Sequence, residues 1–364
     1  MTRDGRGDHR TALILGGGGI TGAMYGVGCL AALEEAFEGF SASDFDFYAG
    51  VSSGATVAVA LAAGFPAQRL YRALLDPADD FFPLQRQHLL RFDSFELKRM
   101  VSSVGGALRR SITAAASKPL SLDLWTEIDR FYDSLPAGLF TVDAYERFLT
   151  DFMTRRGIPK RFDRLRRPLA IVAQDLDAGS RAVFGTGALG NVPVARAVAA
   201  ASAVPILFAP VRVGGRDYVA ADGPDAALLE LCTRHGCDAA LVVNPLVPVR
   251  ADGGERRVPT GHGPRRRVRD KGLLWVHDQS VRMSAESRLT AALQVFRQGH
   301  ADMSVALLEP DRDEATMFMY SPMNFAARRV ILEDAYTTTL LRLREGDSTL
   351  WRTLVERGLR WKGS

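Results

Sequence analysis

The amino-acid sequence predicts an α/β fold with a mainly parallel sheet in three layers, covered by helices on both faces. Short runs of apolar and β-branched residues alternate with longer helical segments, which is the pattern of βαβ units. The chain has 364 residues, 47% of them hydrophobic, enough for one large core. Residues 67–167 have a different residue pattern, which is amphipathic and predicts mostly helices. We expect them to form a helical insertion or cap within a single domain of residues 11–364.

The elements are predicted in order from the N-terminus by apolar runs that end at glycine, proline or polar turn residues. Strands are predicted over residues 11–15, 45–49, 169–173, 181–184, 211–219, 240–243 and 304–308. Helices are predicted from the first glycine cluster to about residue 38, and over residues 55–63, 279–298 and 324–343. This alternation favours parallel strands joined by helices on both faces of the sheet.

The composition excludes several classes of protein. No run of eighteen apolar residues occurs, so a membrane span is not expected. The first ten residues are charged and are followed by no uniform apolar stretch, so we see no secretory signal and expect a cytoplasmic protein. The three cysteines, an odd and sparse set, argue against a disulfide framework, and we expect no metal site.

Positive charge is concentrated in two segments. Residues 95–118 carry five cations and one anion, a net charge of +4, and residues 250–271 carry eight cations and three anions, a net charge of +5. The whole chain has a net charge of +4, so the remainder carries 4 − 4 − 5 = −5. Such clusters suit an anionic surface, although solvated surface segments explain them equally well. The second segment lacks interleaved aromatic residues, which argues against nucleic-acid binding.

Each basic segment has a structural prediction of its own. Apolar residues recur at helical spacing over residues 95–112, which predicts either an interfacial helix on anionic lipid or, more commonly, an amphipathic helix packed on its own domain. Residues 250–272 are rich in glycine and charge, which predicts a basic loop or a lid. Peripheral contact with an anionic membrane therefore stays open.

A glycine-rich loop follows the first strand. Gly17-Gly18-Gly19-Ile20-Thr21-Gly22 satisfies G-x-G-x-x-G between a strand and a helix, the context of a dinucleotide-binding loop. The acidic residue expected after the next strand is missing, however. The same backbone N–H groups at a helix N-terminus can also bind the oxyanion of a tetrahedral acyl intermediate.

A second motif, Gly50-Val51-Ser52-Ser53-Gly54, lies between the second predicted strand and a helix of small residues. G-x-S-x-G in this context is the pattern of a nucleophile elbow, in which glycines relieve crowding around a strained serine. The hydroxyl of Ser52 needs a base, and Asp222-Gly223 follows a predicted strand. An ordinary Asp-Gly turn would look the same.

The combination resembles the patatin-like phospholipases over roughly residues 11–245. Besides the glycine loop, the serine elbow and Asp222-Gly223, residues 173–179 (AQDLDAG) are similar to the family's ATDLDTG stretch, and residues 200–211 (AASAVPILFAPV) to its ASSAIPGVFPPV segment. The resemblance implies hydrolysis of fatty-acyl esters in phospholipids and related lipids without metal or organic cofactor. It implies Ser52 as nucleophile and Asp222 as base, and an oxyanion hole of Gly18, Gly19 and Ser53. Its motif glycines are Gly17, Gly22, Gly50, Gly54 and Gly223.

Two departures put the headgroup preference in doubt: Thr21 stands where the family usually has Arg or Lys, and Pro224 follows Asp-Gly. Three alternatives stay open. A Ser-His-Asp triad would use His277, or else His235 or His262, in an esterase. A nucleotide-binding protein would use the glycine loop, and a non-catalytic relative would act as a lipid-binding module.

Overall fold

The computed structural model describes residues 9–89, 91–92, 135–250, 258–260, 263, 265, 267–311, 316–345, 354–355 and 359–362. The predicted interfacial segment 95–112, and almost all of the first basic segment around it, lie outside the described residues. Only parts of the second basic segment lie within them.

Five parallel strands form the centre of the main sheet, as the alternation of strands and helices predicts. In spatial order they are β11 (Ser304–Leu308), β10 (Ala239–Val243), β1 (Thr11–Leu15), β2 (Phe47–Val51) and β5 (Leu169–Asp175). The second strand begins two residues later than predicted and continues to the residue before Ser52. Parallel strands all end at the same edge of a sheet, which we call the C-terminal edge.

Three further strands extend this sheet in antiparallel pairs. They are β6 (Ser180–Phe184), β8 (Val211–Val213) and β9 (Arg216–Ala220). Strands β6 and β9 pair with β5, and β8 pairs with β9. The single strand predicted over residues 211–219 was wrong, because Gly214 and Gly215 adopt positive φ angles of 57° and 86° and turn the chain into the β8–β9 hairpin. Apolar residues lie on both sides of the turn, so hydrophobic periodicity alone does not reveal it.

Helices cover both faces of this sheet and complete three layers. One face packs against α1 (Gly19–Ala36), α2 (Ser53–Ala62), α3 (Ala67–Leu75), α5 (Asp143–Arg155), α6 (Val194–Ser202) and α10 (Arg328–Arg344). The other packs against α7 (Ala226–Arg234) and α8 (Leu273–Gly299). Alternate residues of β1 enter the two cores, Leu13 the first and Ile14 the second. Each strand of the centre is therefore buried on both sides, and the α/β prediction is confirmed.

The described part of residues 67–167 is not helical throughout. It contains α3, the short α4 (Arg86–Leu89), α5 and two strands, β3 (Arg91–Phe92) and β4 (Gly138–Thr141). These strands join β7 (Ile206–Phe208), which the sequence did not reveal, in a small second sheet of order β3-β4-β7. The bounds of the insertion stay a prediction. A last short helix, α9 (Thr316–Met319), precedes α10.

Among the helices of the described ranges, none combines the length and the hydropathy that crossing a membrane requires. In the second basic segment, Val258 and Arg265 pair as an antiparallel bridge, and residues Val268–Lys271 form a 3-10 turn before α8. The description of this segment as a lid stays a prediction.

The position of β9 is secured by two aspartates of the AQDLDAG stretch. Asp175, almost fully buried, accepts hydrogen bonds from the Ala178 N–H at 2.9 Å and from Arg216 Nη1 of β9 at 2.9 Å. Asp177 accepts from the Asp217 N–H at 2.8 Å. The Ala178 N–H, together with Arg216, holds the pKa of the Asp175 carboxyl below its usual range. This stretch therefore ties the hairpin to β5.

We expect Asp175→Asn to lower the free energy of unfolding near pH 7. Because the native pKa of Asp175 is depressed, its carboxylate contributes stability above about pH 4, and this contribution is lost as the pH falls through the native pKa. Denaturant titrations at several pH values should show the difference between wild type and variant shrinking towards acid. Asp151→Asn, at an exposed position of α5, is the matched control and should show a smaller difference. A difference for Asp175→Asn that is constant with pH would contradict this account.

Candidate active site

Ser52 occupies the sharp turn between β2 and α2. Its backbone has φ 52° and ψ −129°, a conformation that L-residues rarely adopt, and the residue is only 5% exposed. The turn brings backbone atoms too close for side chains on either side. A Cβ on Gly50 would lie 2.4 Å from Ala55 Cα, and one on Gly54 would lie 2.4 Å from the Leu15 carbonyl oxygen. The two glycines of the elbow are therefore required by its geometry.

The glycine loop lies directly against this serine. A Cβ on Gly17 would lie 2.8 Å from Ser52 Cβ and 3.3 Å from its Oγ, and a Cβ on Gly22 would meet the Gly17 carbonyl oxygen at 2.3 Å. Gly18 and Gly19 have positive φ angles of 109° and 66°. Only glycine relieves all of these close approaches, so the loop can pass within contact distance of Ser52.

Backbone donors converge on the same region. Within the part of the chain that the structure describes, the N–H groups of Gly18, Gly19 and Ser53 donate no hydrogen bond. Gly19 opens α1 and Ser53 opens α2, so two helix N-termini with their positive dipole ends meet beside Ser52. This arrangement suits an anion or a developing oxyanion.

The register of β5 brings Asp222 to Ser52. Strand β6 pairs with one edge of β5, and strands β2 and β9 share the other edge. Val51 of β2 lies opposite Val172, and Ala220 of β9 lies opposite Ala173. The two strands approach end to end and stop at consecutive residues of β5, which are about 3.3 Å apart along a strand. Ser52 follows one end directly, and Asp222 follows the other after one residue. The structure thus places the two predicted dyad residues at the same point of the C-terminal edge.

Asp222 is engaged by a cation from α8. Arg288 Nη2 donates to Asp222 Oδ2 at 3.0 Å, with the two side chains 50% and 34% exposed respectively. Between these described residues, no direct hydrogen bond joins Asp222 to Ser52. Arg288 was not singled out from the sequence, because nothing in the spacing of α8 marks one exposed arginine among several.

An apolar cavity opens beside Ser52 on the α1 and α2 face of the sheet. About 80 Å³ of it is accessible to the centre of a water molecule. Its walls are almost entirely apolar and come from α1, α2, α3, α5 and the chain around β7; they include Met24, Val57, Leu70, Leu74, Phe82, Val142 and Phe208. The hydroxyls of Ser53 and Ser202 are buried and line the same cavity. The lining suits a hydrocarbon chain.

Thr21, which replaces the family's usual cation, supports the loop from inside. Its side chain is fully buried, and Oγ1 donates to the Gly18 carbonyl at 3.3 Å, while its N–H donates to the Pro322 carbonyl at 3.3 Å. The Thr21 side chain therefore supports the loop and is not presented to solvent. The second departure, Pro224, is buried before the Asp225 N-cap of α7. A third departure is Ile206, which has φ 73° where the family segment has glycine.

The described histidines do not complete a triad. His277 is exposed on α8, eleven residues before Arg288 and therefore about 16 Å from it along the helix. His235 contacts Phe47 at the opposite end of β2, with ring centroids 4.1 Å apart and ring planes tilted by 56°. His262 lies outside the described residues. Across the described ranges, no three His, Cys, Asp or Glu side chains are grouped as a metal ion would require.

One protein family and several solved structures are similar to this chain. A family model described as patatin-like phospholipase matches residues 13–249. Among curated proteins, none matches the chain. Similar solved structures include VipD from Legionella pneumophila, at 16% identity and a TM-score of 0.38, covering 94% of this chain and 69% of VipD. ExoU from the type III secretion system of Pseudomonas aeruginosa, solved with SpcU, gives 15% identity and a TM-score of 0.30, covering 96% of this chain and 67% of ExoU.

The family match spans the parts of the molecule that meet at the C-terminal edge. Residues 13–249 include the glycine loop, the Ser52 elbow and the Asp222 turn, and they make up more than half of the chain. The chain belongs to the patatin-like phospholipase family.

Proposed function

We propose that this protein hydrolyses fatty-acyl esters of phospholipids or related lipids through an acyl-serine intermediate, with Ser52 as nucleophile and Asp222 as base. Family membership supports lipid acyl hydrolysis. The observation that supports the finer assignment is the end-to-end meeting of β2 and β9 along β5, which brings the turns that carry Ser52 and Asp222 together.

In the first half of the reaction, Asp222 accepts the hydroxyl proton of Ser52 as Oγ attacks the ester carbonyl carbon. The carbonyl oxygen becomes an oxyanion, which the N–H groups of Gly18, Gly19 and Ser53 stabilise. One such donor typically contributes about 3 kcal/mol in the transition state. The carbon–oxygen bond to the alcohol then breaks, and the departing alkoxide takes the proton back from Asp222. The acyl group remains on Ser52.

In the second half, water replaces the alcohol. Asp222 accepts a proton from the water as its oxygen attacks the acyl carbon, and the same N–H groups bind the second oxyanion. Collapse of this intermediate breaks the bond to Ser52 Oγ, which recovers the proton. The products are a free fatty acid and the original enzyme. The apolar cavity beside Ser52 holds the acyl chain during both halves.

Arg288 adds a requirement to this mechanism. Asp222 must turn from the guanidinium to the Ser52 hydroxyl before it can act as a base. A substrate phosphate can take the place of the carboxylate on Arg288, because arginine binds either group through the same planar donors. We infer that Arg288 is the headgroup cation, in the role that the buried Thr21 cannot fill. Phospholipid binding would then release Asp222.

The dyad is tested by steady-state kinetics on a phospholipid and on a soluble short-chain ester. Ser52→Ala and Asp222→Asn should each lower kcat by at least about a thousandfold on both substrates, because each removes a group that every turnover uses. His277→Ala should change kcat less than about twofold, since the residue lies far along α8.

Circular dichroism and a thermal melt of each variant serve as folding controls. A folded Asp222→Asn protein with more than a few per cent of wild-type kcat would rule out the aspartate base. A collapse of kcat in a folded His277→Ala protein would instead favour the Ser-His-Asp alternative.

The role of Arg288 is tested by comparing the same two substrates. Arg288→Gln should lower kcat/KM for the phospholipid about tenfold or more, because a charge-assisted contact to the headgroup is lost. It should raise kcat/KM for the uncharged ester, because Asp222 no longer has a competing partner. Arg288→Lys should retain part of the phospholipid activity.

The matched control is Arg297→Gln, which changes another exposed arginine in the last turn of the same helix. An equal loss on both substrates for Arg288→Gln would show that Arg288 supports the fold of the site and not the headgroup. No effect on either substrate would remove it from the mechanism.

A further inference from the structure

Helix α8 carries an unusual set of exposed apolar side chains. Among the described residues, the large hydrophobic side chains that solvent reaches include five on this one helix: Leu273 (84% exposed), Leu274 (53%), Val276 (45%), Met283 (56%) and Val295 (66%). Further along the helix, Leu289, Leu293 and Phe296 pack on the sheet, and Ala285 and Ala292 are also buried. Four of the five exposed residues lie in the first eleven positions of the helix.

This first part of α8 extends beyond the C-terminal edge of the sheet. Arg288 contacts Asp222. Nearly two turns earlier, Arg282 Nη1 donates to the carbonyl of Pro245 at 3.3 Å, and almost one turn before that, Gln279 Nε2 donates to the carbonyl of Val249 at 2.8 Å. Pro245 and Val249 lie progressively further past the end of β10. A helix of 27 residues is about 40 Å long, against about 17 Å for a five-residue strand, so the first turns have no sheet beneath them.

Positive charge adjoins these apolar residues. The 3-10 turn Val268–Lys271 leads directly into α8, and its exposed cations include Arg269, with Arg265 and Arg267 just before it. The segment is fixed to the body of the protein by Lys271, whose Nζ donates to the carbonyls of Pro259 at 3.0 Å and Phe318 at 2.7 Å and stacks on Trp275. The apolar residues and the cations are therefore presented together on a fixed support.

We propose that Arg265 and residues 267–284 form a docking surface for an anionic lipid membrane. Exposed leucine, valine and methionine side chains enter the acyl boundary of the bilayer, and the neighbouring arginines contact anionic headgroups. The choice of a lipid partner rests on the proposed function, and the charge of the surface selects an anionic one. The surface lies at the edge where Ser52 and Asp222 meet, so docking there brings the active site to its substrate.

The test is vesicle flotation with full-length protein carrying Ser52→Ala, so that no lipid is hydrolysed. We expect it to float with vesicles containing about 30 mol% phosphatidylserine and to bind pure phosphatidylcholine much more weakly, since each basic residue contributes about fivefold in affinity near an anionic surface. Adding Leu273→Ser should weaken binding about tenfold, and Leu273→Ser with Leu274→Ser about a hundredfold. Arg269→Gln should weaken it about fivefold and reduce its dependence on salt.

Val295→Ser is the matched control, because Val295 is also exposed (66%) on the same helix but lies near its far end. It should leave flotation unchanged. Loss of binding by Val295→Ser equal to that by Leu273→Ser would overturn the proposal. So would flotation that ignores both leucines, equal binding to neutral and anionic vesicles, or a Leu273-dependent dimer that does not float.

Failure of the docking surface is distinguishable from failure of the proposed function. With Ser52 restored, Leu273→Ser should hydrolyse a soluble short-chain ester at the wild-type rate and lose activity only on vesicles. A chain that floats through Leu273 but hydrolyses neither substrate would sink the proposed function and leave the docking surface standing. Equal hydrolysis of vesicle lipid by the wild type and by Leu273→Ser would rule out the docking surface and leave the proposed function standing.

Discussion

The structure depends on the shared edge of β5. Strand β2 and strand β9 arrive from opposite directions along this edge and stop at Val172 and Ala173, so the turns that follow them must leave at the same point. Ser52 lies in one turn and Asp222 in the other. The buried carboxylate of Asp175, bonded to Ala178 and Arg216, keeps the β8–β9 hairpin in this register. A single pairing pattern thereby determines where the Ser52 and Asp222 turns meet.

Close packing of backbone around Ser52 follows from the same constraint. The glycine loop approaches from one side and the start of α2 from the other, leaving room for a Cβ at neither Gly17 nor Gly54. Helix N-termini opened by Gly19 and Ser53 face the space above the serine hydroxyl. The apolar cavity continues from that space into the core between α1 and α2. In the proposed reaction, Ser52 therefore lies in the wall of the cavity that would hold the acyl chain.

Much of the fold could be predicted from the sequence because apolar runs, and the glycines at which they end, are local signals. The bounds of β1 and β11 were predicted to the residue. The β8–β9 turn, β7 and the side chain that pairs with Asp222 depend on contacts between distant parts of the chain, which periodicity does not report. For the same reason, the missing cation at Thr21 could be noticed in the sequence, whereas Arg288 could be found only once α8 lay beside Asp222.

The central claim is that Ser52 is an activated nucleophile whose partner is Asp222. The most direct measurement is reaction with a fluorophosphonate ester followed by peptide mass spectrometry, because such a probe forms a stable adduct only with an activated serine. The account predicts one adduct per chain, located on Ser52, and almost none in folded Asp222→Asn protein. An unlabelled wild-type protein, an adduct on Ser53 or Ser202, or full labelling without Asp222 would contradict it.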